Sequence, residues 1–366
     1  MVDTDDIVSQ VMLNCSISDS QHAGLYSICG LALRLRDLYK WEKGLEPWVE
    51  RDSAEILAWI GEKEEEWDRL ADKDFKKIRL DGREYDPFDS RGINEVLEAQ
   101  GLFYGAGYVY SLKPTFFLAD IEEKKVIDGY PVHVLGHELA RDILTLPAMS
   151  RDNCILIRKD SIKRYLWDQI FFIKNSGRKA LGFAMKTHGI AGQDSNAIRQ
   201  HLDRIVEAEK DVYIYHEIGE MRDQVFDRDI WQEIIAAFPH TPLEFFARAV
   251  KDQLADTNEY GKLKYIIRER KGASLAFHVV FLDGLRKELF PEIIPAFHDY
   301  VRTGDWHFIR HAVATGFSNA KNHADLICRI YQKGKERNDL EWAEDEIDRR
   351  LLAPMGIGKV NQNTAE

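Results

Sequence analysis

The sequence predicts a predominantly α fold: a multi-helix C-terminal region, with a small β-sheet (α+β) insertion in the N-terminal half. Three observations predict it. From Asp160 onward apolar residues recur at steps of three and four almost without interruption, the period of helices with one buried face. Between residues 76 and 136 that period gives way to short runs rich in Val, Ile, Tyr and Phe, punctuated by Gly and Asp, the composition of strands and turns. At 366 residues the chain exceeds what one ordinary core accommodates, so two or three domains are expected.

The elements follow in order. Leu25, Ile28, Ala32, Leu35 and Leu38 mark a helix over 20–42, ended by Gly44-Leu45-Glu46-Pro47. Asp52 and Glu55 have the spacing of a capping box and open a second helix, whose apolar side carries Ile56, Ile60, Trp67 and Leu70. The acidic run from Glu62 to Glu66 is its solvated face. Lys77 to Leu80 reads as a strand and Asp81-Gly82 as a turn. A short helix is predicted over 93–100, strands over 103–112, 116–122 and 125–135, a helix over 138–144 and a strand at 154–157. Ile162, Leu166, Ile170 and Ile173 begin the helical region, and Asn175-Ser176-Gly177 closes its first helix. Further helices are predicted over 194–208, 209–226, 228–237, 242–256, 259–270, 273–287, 290–302, 305–315 and 318–335. The glycine-rich stretch 176–192 is the predicted hinge. The resulting division is an acidic helical segment 1–75, a small α+β region 76–158, an all-helical domain 159–353 and a flexible tail 354–366.

Charge narrows the partners. A net charge of −12 argues against duplex DNA, whose binders replace phosphate counterions with surplus Lys and Arg. The charge is segregated, however: residues 1–75 hold 17 acidic and 8 basic side chains, and residues 151–190 hold 9 basic and 3 acidic. The four cysteines, Cys15, Cys29, Cys154 and Cys328, are scattered without a CxxC pair, which fits free thiols in a reducing compartment. The acidic start Asp3-Thr4-Asp5-Asp6 is unlike a signal peptide, and the longest apolar runs, such as Leu275 to Leu282, are far too short to span a bilayer. A soluble, cytoplasmic protein is the expectation.

The segment Tyr215-His216-Glu217-Ile218-Gly219-Glu220 carries the most chemistry. On a helix His216 and Glu220 are one turn apart and converge on one point. They border an apolar stripe of Ile205, Ala208, Val212, Tyr215 and Gly219, while Glu217 is turned further away. Gly219 lies on the packed side of that helix at a cost of up to about 1 kcal/mol against Ala, which predicts a closely approaching neighbour. Imidazole and carboxylate donors suit Fe, Mn or Zn, so His216 and Glu220 are the candidate metal ligands, with Glu217 and Tyr213 as candidate catalytic groups. His307 and His311 share the same spacing behind a predicted Asp305 cap and, with His298-Asp299, are further candidate ligands. His188 and His201 are the remaining candidate helpers.

Two resemblances bear on this reading. His137-Glu138-Leu139-Ala140-Arg141 resembles the HExxH zinc-peptidase motif in its first three positions, but Arg141 replaces the second histidine and cannot coordinate a metal. His188, His216-Glu217 and Asp256 are similar, in order and in their all-helical context, to the His, His-Asp, Asp series of the HD-domain phosphohydrolases. Glu217 stands where that family has Asp, and the separations are compressed. What the resemblance implies is a metal-dependent phosphoesterase. Gly105-Ala106-Gly107 lacks a third glycine and a following helix, and the chain contains no P-loop and no GxSxG elbow.

The alternative is non-catalytic. Arg158, Lys159, Lys163, Arg164, Lys174, Arg178, Lys179 and Lys186 are interleaved with Tyr165, Trp167, Phe171, Phe172 and Phe183, a mixture that suits a partner protein, single-stranded nucleic acid or a small phosphorylated ligand. Gly177-Arg178 at a helix start makes Arg178 and Lys179 candidate anion binders. The acidic and basic parts also allow association into a homo-oligomer. The sequence therefore sets a metal or acid/base site at a helix–helix seam, acting in hydrolysis or oxidation, against an interaction module working through residues 151–190.

Overall fold

The structure, a computed structural model, describes residues 3–109, 112–191, 194–226 and 228–357. It is mostly helical, with 64% helix against 14% strand, and its five-stranded sheet lies in the N-terminal half, a broadly α+β arrangement. The chain divides into two units. The first takes in residues up to 172 together with 199–210, and the second residues 173–198 and those from 211 on.

In the first unit α1 (Thr4–His22) begins where the Asp3 carboxylate accepts from the amides of Asp5 (3.0 Å) and Asp6 (3.4 Å). Its buried side includes Ile7, Val11, Asn14, Cys15, Ser18 and Asp19, helical in spacing but half polar. No apolar stripe announces this helix, and the sequence reading missed it. The polar residues replace a missing strand neighbour. Asn14 donates to Lys76 O (2.8 Å) and accepts from Lys76 N (2.7 Å); Gln10 makes the same pair of bonds at Arg79 (3.1 and 2.7 Å). Backbone groups of 76–79 are thereby satisfied. The helix predicted over 20–42 is two pieces, because Ser27 caps a new start at Gly30 N and α2 runs only over Ile28–Glu42. In α3 (Ser53–Leu70) Asp52 is the cap, as its spacing indicated. Leu35, Leu38 and Tyr39 of α2 pack with Trp59 and Trp67 of α3.

A hairpin of β1 (Ile78–Leu80) and β2 (Arg83–Tyr85) and the short α4 (Ser90–Leu97) precede the main sheet. Its strands are β3 (Leu102–Val109), β4 (Lys113–Ile127), β5 (Tyr130–Arg141), β6 (Ala148–Arg151) and β7 (Cys154–Arg158), in the order β3-β4-β5-β7-β6. All neighbours are antiparallel except β5 and β7. Asp81-Gly82, Asp128-Gly129 and Asp152-Asn153 turn the three two-residue hairpins, both residues of each at positive φ, the type I′ geometry that suits the strands' twist. The strand predicted over 125–135 is therefore cut at Asp128-Gly129. The helix predicted over 138–144 is instead the end of β5, where Glu138 lies opposite Ala119 and Ala140 opposite Leu118. Pairing with β4 overrides the local helical pattern there. The end of the predicted strand 103–112, at 110–111, lies outside the described residues.

One face of the sheet packs Leu102, Tyr104, Phe116, Leu118 and Ala140 with Ile7 and Val11 of α1; the other holds Phe103, Phe117, Ala119, Leu135 and Leu156. Charges are buried in this unit as balanced groups. Lys113 pairs with Asp19 (3.0 Å) and Asp142 (3.2 Å). Glu138 accepts from Arg158 (2.8 Å) and Ser161 (2.7 Å) and faces Arg141 at 3.7 Å. Breaking such a group strands a charge away from water, which costs about 3–5 kcal/mol. After the sheet comes α5 (Lys159–Phe171).

The second unit is helical: α6 (Arg178–Thr187), α8 (Arg228–Ala237), α9 (Pro242–Thr257), α10 (Lys262–Arg268), α11 (Gly272–Val280), α12 (Gly284–Leu289), α13 (Ile293–Thr303), α14 (His307–Glu336) and α15 (Leu340–Ile347). The long α7 (Ser195–Met221) gives residues 199–210 to the first unit and its ends to the second. Two predicted pairs of helices are single helices, α7 and α14. Gly316 does not break α14, because a Phe290 ring atom sits 2.4 Å from where its Cβ would be. Conversely 273–287 is split into α11 and α12, with Gly284 at positive φ where α12 begins.

A core from α8, α9, α14 and α15, including Ile234, Leu243, Phe246, Val250, Leu254, Ile327 and Ile347, holds this unit together. In α9 the N-cap Thr241 accepts from Glu244 N (3.2 Å) and Glu244 accepts from the N–H of His240, the residue before the cap (2.8 Å), a close relative of the capping box with Pro242 in the first turn. Its last turn, Leu254, Ala255, Asp256 and Thr257, is buried on every side, so Asp256 is carried into the interior. Among the described residues no helix is long and apolar enough to cross a membrane. Most of the predicted tail 354–366, from 358 on, lies outside the described residues, as does the end of the predicted hinge at Gly192.

Candidate metal centre

The C-terminal part of α7 meets the end of α9 at very short range. A Cβ on Gly219 would lie 2.1 Å from Ala255 O and 3.0 Å from Gly261 Cα, so only glycine allows the approach that the sequence implied. Asn258 locks the seam by donating from Nδ2 to Gly219 O (2.8 Å). Beside it, Tyr215 stacks on Tyr265 at 4.1 Å and 14°, and Arg268 lies 5.3 Å from the Tyr215 ring.

Close packing at Gly219 brings the polar residues together. His216, Glu217 and Glu220 each offer a ligand atom, and these atoms lie within 4.8 Å of one another. His216 Nδ1 is hydrogen-bonded to Asp256 Oδ1 at 2.6 Å. Asp256 also pairs with Lys262 (2.9 Å), and Glu220 with Lys251. The His216 and Glu220 side chains are 21% and 31% exposed, against 5% for Asp256, so solvent reaches the cluster from one side. Glu217, expected to turn away, is buried, because α7 is covered on its Ile214 and Ile218 side as well as along the predicted stripe.

The electrostatics follow from burial and pairing. Burial pushes the His216 imidazolium toward losing its proton, but the charge and hydrogen bond of Asp256 outweigh it and raise the pKa to about 9. Burial pushes the Asp256 carboxyl up, and Lys262 and His216 more than reverse this, holding it far below the usual carboxylate range. Glu220 is likewise raised by burial and lowered on balance by Lys251 and His216. Asp252, one turn before Asp256, is pushed up by burial and partly relieved by His216. Burial, reinforced by Lys262, drives His278 of α11 down to about 3, a neutral imidazole near Asp256.

Several of these groups were missed in the sequence. Lys251, Asp252, Lys262 and His278 come from α9, α10 and α11. The available signal was the run Arg248, Lys251-Asp252, Asp256, polar at helical spacing on a helix whose other positions are mostly apolar. Of the series His188, His216-Glu217, Asp256, the structure joins His216 to Asp256; the His188 ring packs on Phe277 at 5.9 Å. Tyr213 is half-buried one turn before Glu217. His201 lies fifteen residues before His216 on α7, about 22 Å along the axis at 1.5 Å per residue. His307, His311 and His298 are exposed, and among the described residues they join no third donor; Asp305 accepts from His307 N (2.8 Å).

The other candidates are placed as follows. His137 bonds Asp160 (3.0 Å) from an exposed position on a strand, and Glu138 is consumed by Arg158, Ser161 and Arg141. Four cations of the basic stretch are engaged within the first unit: Arg158 with Glu138, Lys159 with Glu122 (2.7 Å) and Glu207 (2.6 Å), Lys163 with Glu46 and Asp203 (both 3.0 Å), and Arg164 with Asp37 (3.3 Å). Arg178 and Lys179 are exposed in the first turn of α6, where Arg178 donates to Asn175 Oδ1 (3.3 Å).

No curated protein and no solved structure matches the chain. Two family descriptions do: a family of unknown function (DUF6866), by its N-terminal domain over residues 6–158 and by its C-terminal domain over residues 163–350. The His216 cluster falls in the second of these. Together the matches cover nearly the whole chain, which therefore belongs to the DUF6866 family.

Proposed function

We propose that the second unit binds a divalent metal ion, Fe, Mn or Zn, at His216, Glu217 and Glu220, and uses it in metal-assisted hydrolysis. The observation that carries this reading is the convergence of three donors within 4.8 Å, one of them an imidazole whose Nδ1 is already bonded to a carboxylate. A carboxylate behind a histidine fixes its tautomer and its ring orientation, leaving Nε2 for the metal. Mixed imidazole and carboxylate donors suit these ions. When bound, such an ion polarises a substrate's reacting bond and makes nearby water more acidic. The chain's own groups do the rest. Asp256 keeps His216 aligned, Glu217 and Glu220 neutralise charge, and the 31% exposure of Glu220 leaves a side from which substrate enters.

The test is element analysis and a thermal shift on purified protein, with and without added Zn²⁺, Mn²⁺ or Fe²⁺. One equivalent bound and a higher melting temperature are expected, and both should be lost in the His216→Ala/Glu220→Gln variant. A ligand at 100 times its Kd stabilises by about 2.7 kcal/mol, a readily measured shift. Less than about a tenth of an equivalent, with no shift, overturns the reading. The ammonium partners of Glu220 and Asp256 favour a second reading, in which His216 and Asp256 act as an acid/base pair without a metal. Hydrolytic activity that survives chelation but not His216→Ala distinguishes it.

A further inference from the structure

Glu220, the most exposed of the three proposed ligands, is not held by a neutral donor but by the ammonium of Lys251. That ammonium has a second resting place: Nζ lies 5.0 Å from the centroid of the Trp231 ring, within cation–π range. Lys251 is only 18% exposed, so it cannot simply escape into water. Lys262, at 14% exposure, sits on Asp256, the carboxylate bonded to His216. Two ammonium groups therefore flank the donors, and one of them occupies a carboxylate that a metal ion needs.

We infer that Lys251 is an exchangeable cation. When a dication takes Glu220, Lys251 leaves that carboxylate and binds an oxyanion of the substrate, so the site accepts substrates carrying a phosphate or carboxylate group. This rests on the metal reading of the cluster. The physical reason is charge. A dication and an ammonium repel each other at one carboxylate, and a partly buried ammonium without a partner is costly. Trp231 supports Lys251 during the exchange, but a ring face offers no lone pair for its N–H groups. An incoming oxyanion supplies those acceptors with charge assistance. A neutral substrate supplies no such acceptor and is disfavoured.

The experiment is calorimetry on the Mn²⁺-loaded full chain, titrated separately with inorganic phosphate and with succinate, for wild type, Lys251→Met and Lys251→Arg. Metal affinity is expected to be unchanged or higher in Lys251→Met, because a competitor for Glu220 has been removed. Anion affinity should fall about 10-fold or more in Lys251→Met, the scale of one charge-assisted hydrogen bond, and be largely kept in Lys251→Arg. Preference for phosphate over succinate assigns a phosphorylated substrate, and the reverse assigns a carboxylate, each with the same cation. Metal bound at full stoichiometry with no anion binding, or with equal anion binding by wild type and Lys251→Met, overturns this inference while leaving the metal site standing. Failure of Zn²⁺, Mn²⁺ and Fe²⁺ alike to bind wild type overturns both.

Discussion

At the scale of single residues, the chemistry of this protein comes from charged groups held away from water and from what they are held against. Asp19 is the clearest case outside the proposed metal site. Burial raises its carboxyl, Lys113 lowers it and Asp142 raises it again, leaving it at about 7. Burial also raises Asp142, but Lys113 outweighs this and it ends below its ordinary value. A carboxyl raised on folding favours the native state while it is protonated, and that contribution is lost as pH rises through its folded value. Between about pH 4 and pH 7, Asp19 should therefore make the native state progressively less stable, by up to about 1.4 kcal/mol per pH unit. Asp142 acts the other way, below the ordinary carboxyl range. Denaturant unfolding of wild type and Asp19→Asn across pH 4–8 isolates the effect. The difference in unfolding free energy should shift against wild type as pH rises, and a difference independent of pH removes Asp19 as its source.

At the scale of elements, the seam between α7 and α9 decides whether a site exists. Helix propensity alone makes Gly219→Ala stabilising by up to about 1 kcal/mol. The added methyl would meet the Ala255 carbonyl at 2.1 Å, and backbone cannot swing aside as a side chain does. Overpacking of this kind costs about 1–3 kcal/mol, so the clash wins. A net loss of stability in thermal melts, together with weaker metal binding as His216 moves from Asp256, is expected. A variant as stable as wild type would show that the helices are not pressed together there. This seam was readable from Gly219 alone. The hairpin at Asp128-Gly129 carries an equally local signal, which the continuous strand-like run of its flanking residues hides. Helix α1 was not readable, because half of its buried side is Asn14, Ser18 and Asp19, which find partners far along the chain, at Lys76 O, Pro114 O and Ile143 N. Nor was the end of β5, whose His-Glu pattern mimics a helix motif while pairing with β4 dictates a strand.

At the scale of the whole molecule, the first unit is not a continuous stretch of chain. It includes 199–210 of α7, where Asp203 and Glu207 pair with Lys163 and Lys159 and where Leu202 and Ile205 are fully buried. Exposed ion pairs contribute about 0–1 kcal/mol each, whereas a buried aliphatic side chain contributes about 1.5–3 kcal/mol. A fragment of residues 1–172 should thus melt below one of residues 1–210, by the worth of a few kcal/mol. Equal melting temperatures in circular dichroism would mean that the α7 segment contributes nothing to the first unit.

Short-range pattern specifies the short-range features of this chain. Periodicity gave the helices of the C-terminal half, glycine and aspartate gave turns, and the spacing of His216 and Glu220 gave two donors on one helix face, because each of these depends on residues within a turn or two of one another. Tertiary structure alone decided which of many charged side chains would meet. Asp256 lies 40 residues from His216, and Lys251 lies 31 from Glu220. No local pattern encodes a contact at that separation, since it exists only once α7 and α9 close on a position without a side chain.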